Sequence, residues 1–311
     1  MQTKNYTFWS AETAESEQTY LLNLDKEFNP FSDFLFGACY VNYEKSTFLG
    51  GEPHFRINNH LYNSKLFISQ RIDSVADLMD IVLANDAAKR LGAKEISLFI
   101  PYFPAARQDR ICNKGEAFTL KIFADLINGC EFKKVYILTP HSDVTPALLN
   151  NVVIMDDLDM ILDVANDLGG TEMNIVCPDA GAGKRVQKAI EHLSKNNPTN
   201  RKYSMVRCEK IRDVKDGRLK EFYVGEGLIK GAPTLILDDI NCMGGTFLGL
   251  GEKLIAAGCG TLALFTVHSD CQIGIGNILD SKFDHFYTTN SKKNNAENLK
   301  SDKLTCIKIQ Y

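Results

Sequence analysis

The sequence predicts an α/β protein of two domains, each a mainly parallel sheet flanked by helices, and three observations carry that reading. Short apolar runs rich in β-branched and aromatic residues alternate with segments of helical period. The second half repeats the grammar of the first. The 311 residues, at roughly 150 per domain, suffice for about two cores. A content of 44% hydrophobic, 24% charged and 10% aromatic residues is that of an ordinary globular protein and excludes disorder as the main state.

In the first half, Ser74 is expected to cap a helix with Val75, Leu78, Met79 and Val82 on one face and Gly92 just past its end. Ile96 to Phe103 and Lys134 to His141 read as buried strands. Between them Leu120, Phe123, Ala124 and Ile127 mark a helix that stops at Gly129, completing one βαβ unit. The second half offers strands at Met173 to Asp179, Thr234 to Ile240 and Thr261 to His268, with helices from about Lys184 and Thr246. Ser194 to Lys202 and Ser291 to Lys303 are polar and read as exposed loops. The boundary is expected between residues 150 and 158, giving domains 1–155 and 156–311, with the last strand free to pack back on the first domain.

Lys and Arg total 35 against 39 Asp and Glu, a net charge of −4, so no global basic field disposes the chain toward nucleic acid. Nine cysteines form no CxxC pair, which suits neither a disulfide framework nor a zinc site and points to a reducing, cytoplasmic compartment. The polar N-terminus lacks an apolar signal region, and no stretch approaches the ~20 apolar residues of a membrane span.

The segment with the clearest chemistry is TLILDDINCMGGTF, Thr234 to Phe247. An apolar strand ends in Asp238 and Asp239, a turn follows with Gly244 and Gly245, and a helix begins near Thr246. Glycines let backbone N–H groups point into a concavity, and a helix N-terminus adds partial positive charge where an anion would sit. The two acids, at the C-terminal end of a strand, are placed to accept hydrogen bonds from sugar hydroxyls.

The pattern DDxxxxGGT after a hydrophobic strand is similar to the phosphoribosyl-binding loop shared by type I phosphoribosyltransferases and ribose-phosphate diphosphokinases, and further segments select the second family. IPYFPAARQDR, Ile100 to Arg110, resembles its IPYxxYARQDR, which places Arg107 and Gln108 on the nucleotide. FLGGEPHFRI, Phe48 to Ile57, resembles FxDGExxVRI and implies Phe48 against adenine and Glu52 on its exocyclic amine. CPDAGAGKR, Cys177 to Arg185, is similar to SPDxGGxKR, from which Asp179 inherits a metal-holding role, and His141 coincides with the metal-site histidine of DLHxxQ. EKIR, Glu209 to Arg212, opens a charged stretch to about Gly227 resembling the mobile catalytic loop, so Lys210 and Arg212 are the expected cations over the transferring phosphates. FYTTNS, Phe286 to Ser291, resembles the late VTNTI strand.

The resemblance implies two phosphoribosyltransferase-like domains and a Mg²⁺-dependent transfer of the β,γ-diphosphate of ATP to the anomeric hydroxyl of a ribose 5-phosphoryl acceptor, with AMP released. It also implies a homo-oligomer, while the charge balance and the lack of an apolar span leave nucleic acid and membrane out of the expected partners. A non-catalytic regulatory relative would be expected to lose Lys210, Arg212, Asp238 or Asp239, and all four are present.

The sequence departs from that pattern at Gly50, Thr139, Val144, Cys242 and Met243. The last two stand where the family has Asp and Thr, inside the cradle for the 5-phosphate at Asp238, Asp239, Cys242, Met243, Gly244, Gly245 and Thr246. A phosphate monoester rewards every donor around it, whereas a diester carries one charge and a substituent that needs room. Met243 removes a hydroxyl and offers a surface on which a base can pack. The expected acceptor is therefore ADP-ribose, whose 1-pyrophosphate would serve NAD reconstruction, with ribose 5-phosphate as the alternative.

Overall fold

A strand whose residues are apolar on both faces must be covered on both, and these runs form parallel strands between helices. In the computed structural model, residues 5–7, 18–28, 30, 38–196, 200–212, 219–269, 272–293 and 299–310 are described. The chain divides into an N-terminal unit, Tyr6–Asp156 with Ser291–Lys293 and Ile309–Tyr311, and a C-terminal unit, Met1–Asn5, Asp157–Asn290 and Asn294–Lys308. The predicted fold class, α/β with mainly parallel sheets flanked by helices, is the observed one.

The chain opens with strands β1 (Asn5–Thr7), β2 (Thr19–Asn23), β3 (Cys39–Tyr40), β4 (Tyr43–Thr47), β5 (Pro53–Ile57) and β6 (Lys65–Ser69). Helix α1 (Val75–Arg90), β7 (Glu95–Ile100), α2 (Thr119–Gly129), β8 (Lys134–Leu138), α3 (Val144–Leu148) and β9 (Val152–Met155) follow. Six of these strands form a parallel sheet in the order β3-β2-β6-β7-β8-β9, while β4 and β5 make a separate antiparallel hairpin.

Ser74 caps α1 through a reciprocal box with Asp77. The expected helix face is wrong by part of a turn. Leu78, Ile81, Ala84 and Ala88 are buried, whereas Val75 and Met79 face outward. Apolar residues run most of the way round this helix, so periodicity left the face open, and buried polar groups decide it. Asn85 donates to the Cys130 carbonyl at 2.9 Å, Asp80 pairs with Lys45, and Asp77 accepts from Gln70 at 3.1 Å. In α2 the predicted Leu120, Ala124 and Ile127 are buried.

Ser291 and Lys292, expected in an exposed loop, are buried within the N-terminal unit. Lys292 pairs with Asp73 at 2.5 Å and lies over the Tyr102 ring, and Lys293 pairs with Asp77. A lysine run signals solvent only when no acids await it, and here the α1 N-terminus supplies two. Burial pushes the Asp77 carboxyl up, but the bonds from Lys293, Ser74 and the Asp73 amide outweigh it and hold its pKa below the usual range.

The C-terminal unit carries α4 (Leu158–Leu168), β10 (Glu172–Cys177), a 3₁₀ turn at Ala180–Ala182, α5 (Gly183–Lys195), β11 (Lys202–Arg212), β12 (Leu219–Val224) and β13 (Thr234–Asn241). After them come α6 (Gly245–Ala256), β14 (Leu262–Ser269), α7 (Gln272–Leu279), β15 (His285–Thr289) and β16 (Leu304–Gln310). The sheet order is β1-β16-β15-β14-β13-β10-β11-β12. Every residue of β14 is buried, as a central parallel strand requires. β16 pairs in parallel with β15 over Phe286 to Thr289. Among the described residues no helix is long and apolar enough to cross a membrane.

Candidate functional site

In an open α/β sheet, ligands bind beyond the carboxyl ends of the strands. The parallel neighbours β10 and β13 both send an acidic segment from that edge. Asp179, just after β10, accepts from the amides of Gly181 at 3.1 Å and Ala182 at 3.3 Å through Oδ1. On β13 the Asp239 amide donates to Asp238 Oδ1 at 2.9 Å. The chain then turns at Gly244, with φ 78° and ψ −11°, into α6, whose N-terminus has no side-chain cap. The glycine permits the left-handed turn, and the first-turn amides of α6 present partial positive charge beside two acids.

Burial first, and the Asp239 carboxylate second, push Asp238 up to about 7, while Arg185 pulls it down. The Cys177 thiol, raised by burial, lies in the fields of Asp179, Arg207 and Asp238. The structure therefore gathers Asp179, Asp238, Asp239, Arg185 and Arg207 about the ends of β10, β11 and β13. Two members of this group, Arg185 and Arg207, and the nearby strand residue Asn241 carried no role in the sequence. Arg207 sits opposite Cys177 in the β10–β11 register. Arg185 donates to Asp157 at 2.5 Å through one terminal nitrogen, while its Nε and other terminal nitrogen are buried with no partner. Asn241 is fully buried with neither amide atom bonded. Arg185 was legible only as part of the KR pair closing its motif, and Asn241 gave no signal.

Lys210 and Arg212 lie on β11, not in an open loop. β11 pairs antiparallel with β12, Lys210 opposite Phe222 and Arg212 opposite Leu219, with a register shift between Ile211 and Arg212. The charge density of this stretch hid a β-hairpin whose buried residues include Cys208 and Phe222. Residues 213–218 of the expected catalytic loop, like Cys271, lie outside the described residues.

The N-terminal unit places Phe48 and Glu52 together at the tip of the β4–β5 hairpin, the Phe48 amide donating to the Glu52 carbonyl at 2.9 Å. The Phe48 ring is 58% exposed and meets His54 edge-on, which leaves an aromatic face in water. Arg107 and Gln108 are exposed in the loop after β7, where the Gln108 amide donates to the Ala105 carbonyl at 2.8 Å. His141 is exposed after β8, next but one to Thr139, which holds a φ of 39°.

A Mg²⁺ brought in on substrate phosphates needs hard oxygen donors and only one or two protein groups. Asp179 is such a group, and the Asp238–Asp239 pair, whose repulsion raises one member, is a place where a divalent cation would be welcome. Among the described residues no three His, Cys, Asp or Glu side chains converge into a group that could hold a metal ion.

Comparison with known proteins accords with these features. The family model described as the N-terminal domain of ribose phosphate pyrophosphokinase matches residues 35–130. A ribose-phosphate pyrophosphokinase of Saccharolobus solfataricus is 24% identical over 231 residues, covering 73% of this chain and 76% of that protein. One of Streptomyces coelicolor is 24% identical over 282 residues, covering 89% and 80%. The chain is similar to ribose-phosphate pyrophosphokinases, through their N-terminal domain over residues 35–130 and through these relatives over most of its length. One of Mycoplasma genitalium is 29% identical over 218 residues, covering 67% of this chain and 60% of that protein. The crystal structure of phosphoribosylpyrophosphate synthetase from Mycobacterium smegmatis matches with a TM-score of 0.75 at 17% identity, covering 94% and 95%, a likeness of fold. Against the pyrophosphokinase pattern, Met243 is the most exposed of the departures in the glycine loop, at 52%.

Proposed function

We propose that this chain is a diphosphotransferase that moves the β,γ-diphosphoryl group of ATP to the anomeric hydroxyl of a ribose 5-phosphoryl acceptor. The named pyrophosphokinase relatives support that activity. The observation that carries it is the left-handed Gly244 turn, which leads directly from the Asp238–Asp239 pair into the uncapped N-terminus of α6. That arrangement offers oxygen acceptors for sugar hydroxyls and amide donors for a phosphate.

The anomeric oxygen attacks the β-phosphorus of ATP, the bond from that phosphorus to the α,β-bridging oxygen breaks, and AMP leaves with the electron pair. The hydroxyl proton passes to solvent. Asp238 and Asp239 hold the ribose hydroxyls, and the amides of Gly244 to Thr246 hold the 5-phosphoryl group. Phe48, Glu52, Arg107 and Gln108 take the adenine nucleotide. Lys210 and Arg212 stabilise negative charge as it builds on the transferred group and on the departing AMP. Asp179, in the C-terminal unit, would hold Mg²⁺, which when bound neutralises charge on the diphosphate, and the family resemblance implies the same role for His141.

The acceptor we favour is ADP-ribose. Cys242 and Met243 remove donors that a phosphate monoester would use, and the exposed Met243 side chain offers apolar area to the second nucleotide half of a diester. The product is then ADP-ribose 1-pyrophosphate, a precursor from which a transferase could rebuild NAD. Ribose 5-phosphate is the second reading, supported by the retained Gly244, Gly245 and Thr246. AMP release from Mg-ATP is measured with each acceptor alone, and the sugar product is identified by mass spectrometry. Turnover with ADP-ribose in preference to ribose 5-phosphate supports the first reading, the reverse preference supports the second, and no AMP with either removes both.

A further inference from the structure

Helix α7 grips the glycine loop at the two positions where that loop departs from the family pattern. Asn277 donates through Nδ2 to the Met243 carbonyl oxygen at 2.9 Å. Gly274 approaches Cys242 so closely that an added Cβ would stand 1.6 Å from the Cys242 carbonyl oxygen. Ile278 packs beside Gly244, where an added Cβ would lie 3.2 Å from Ile278 Cδ1. Residues 274, 277 and 278 stand at i, i+3 and i+4, so one face of α7 makes all three contacts.

A peptide unit is planar and trans, so its C=O and the following N–H point in opposite directions. Fixing the Met243 carbonyl against Asn277 therefore fixes the Gly244 N–H on the far side of the loop. Seating the Cys242 carbonyl against Gly274 does the same for the Met243 N–H. Of these two amides, Gly244 is the one assigned above to the anion cradle, and Met243 leads into it. Asn277 is half-buried and its bond to the Met243 carbonyl lies in an exposed setting, so the bond is not a by-product of core packing.

We propose that Asn277 is a positioning residue for the acceptor, aiming the Gly244 amide at the 5-phosphoryl group by holding the Met243 carbonyl. This rests on the diphosphotransferase reading of the same loop. The test is steady-state kinetics of wild type, Asn277→Leu and Asn277→Asp, with ATP and acceptor varied in turn, together with amide hydrogen exchange over residues 242–246. Both variants lack the donor. The expected result is a rise of about three- to tenfold in KM for the acceptor, with KM for ATP and kcat within twofold of wild type. Faster exchange at Met243 and Gly244, with α1 unchanged, accompanies it. Unchanged acceptor KM in a working enzyme overturns the inference and leaves the proposed function standing. An equal loss in both KM values and kcat shows a merely structural residue and overturns it too. A wild-type protein that forms no AMP with either acceptor overturns the function itself, and the inference with it.

Discussion

Gly244 and Gly245 are neighbours in the sequence, yet replacing each with alanine should separate stability from binding. Gly244 has φ 78°, a conformation that costs an alanine roughly 1–2 kcal/mol. The new Cβ would also stand 3.2 Å from Ile278 Cδ1 and 3.4 Å from the Gly274 carbonyl. The isoleucine end can shift, but the carbonyl is backbone of Gly274, which itself packs against the Cys242 carbonyl, so Gly244→Ala should destabilise by about 1–3 kcal/mol. At about 2–4 °C per kcal/mol for domains of this size, the melting temperature falls by about 2–12 °C. Gly245, in contrast, is the first residue of α6, and a Cβ there meets nothing within 4 Å. Gly245→Ala should leave stability unchanged or raise it by up to about 1 kcal/mol through helix propensity. It nonetheless raises acceptor KM, because that open space is where the phosphoryl group is expected. Scanning calorimetry of the two variants beside acceptor titrations reads both effects. A Gly244→Ala protein that melts with wild type refutes the strained turn, and a Gly245→Ala protein with wild-type acceptor KM refutes the cradle.

Asp238 is held up to about 7 by burial and by Asp239, so its charged form, the better acceptor of sugar hydroxyls, is lost as the pH falls below about 7. Acceptor KM should rise across that window, and Asp239→Asn should move the transition to lower pH, which a KM profile between pH 5.5 and 8.5 checks. The linkage to stability has the opposite sense. The folded protein holds this proton more tightly than the unfolded chain, so the contribution is full below the ordinary carboxylate value and vanishes as pH rises through about 7. Asp77 is the reverse case. Its pKa is depressed, so its contribution is present at neutral pH and lost in acid, and Lys293→Met should flatten the acid limb of a stability-versus-pH curve. Lys210→Ala should cut AMP formation by about 10²–10³-fold, in line with the loss of a preorganised charge stabiliser, while the melting temperature stays within a few degrees of wild type. A working Lys210→Ala enzyme would remove the assigned role.

The α/β class was legible because strands such as Leu262–Ser269 open on an apolar run, are buried along their whole length and alternate with helical segments. The glycine loop and its acids were legible because phosphate chemistry demands residue types at fixed spacing. Three things escaped for one physical reason, that the deciding partner lies outside the segment being read. The buried face of α1 is set by Lys45, Gln70 and the Cys130 carbonyl. The burial of Lys292 is set by Asp73. The β11–β12 hairpin is set by cross-strand pairing that its charges disguise. Arg185 and Asn241 were missed for another reason. Their distinction is a buried nitrogen or amide left without a partner, a property of the folded surroundings that no spacing encodes.

The contact between Gly274 and the Cys242 carbonyl bears on how this loop can be exchanged between proteins. A backbone oxygen cannot rotate out of the way as a side chain can, so any residue larger than glycine at 274 requires a different loop path. Transplanting Cys242 and Met243 alone into a relative with a bulkier residue at the matching point of its helix would leave the two segments competing for one volume. The loop and α7 are in that sense a single cassette, to be moved or redesigned together.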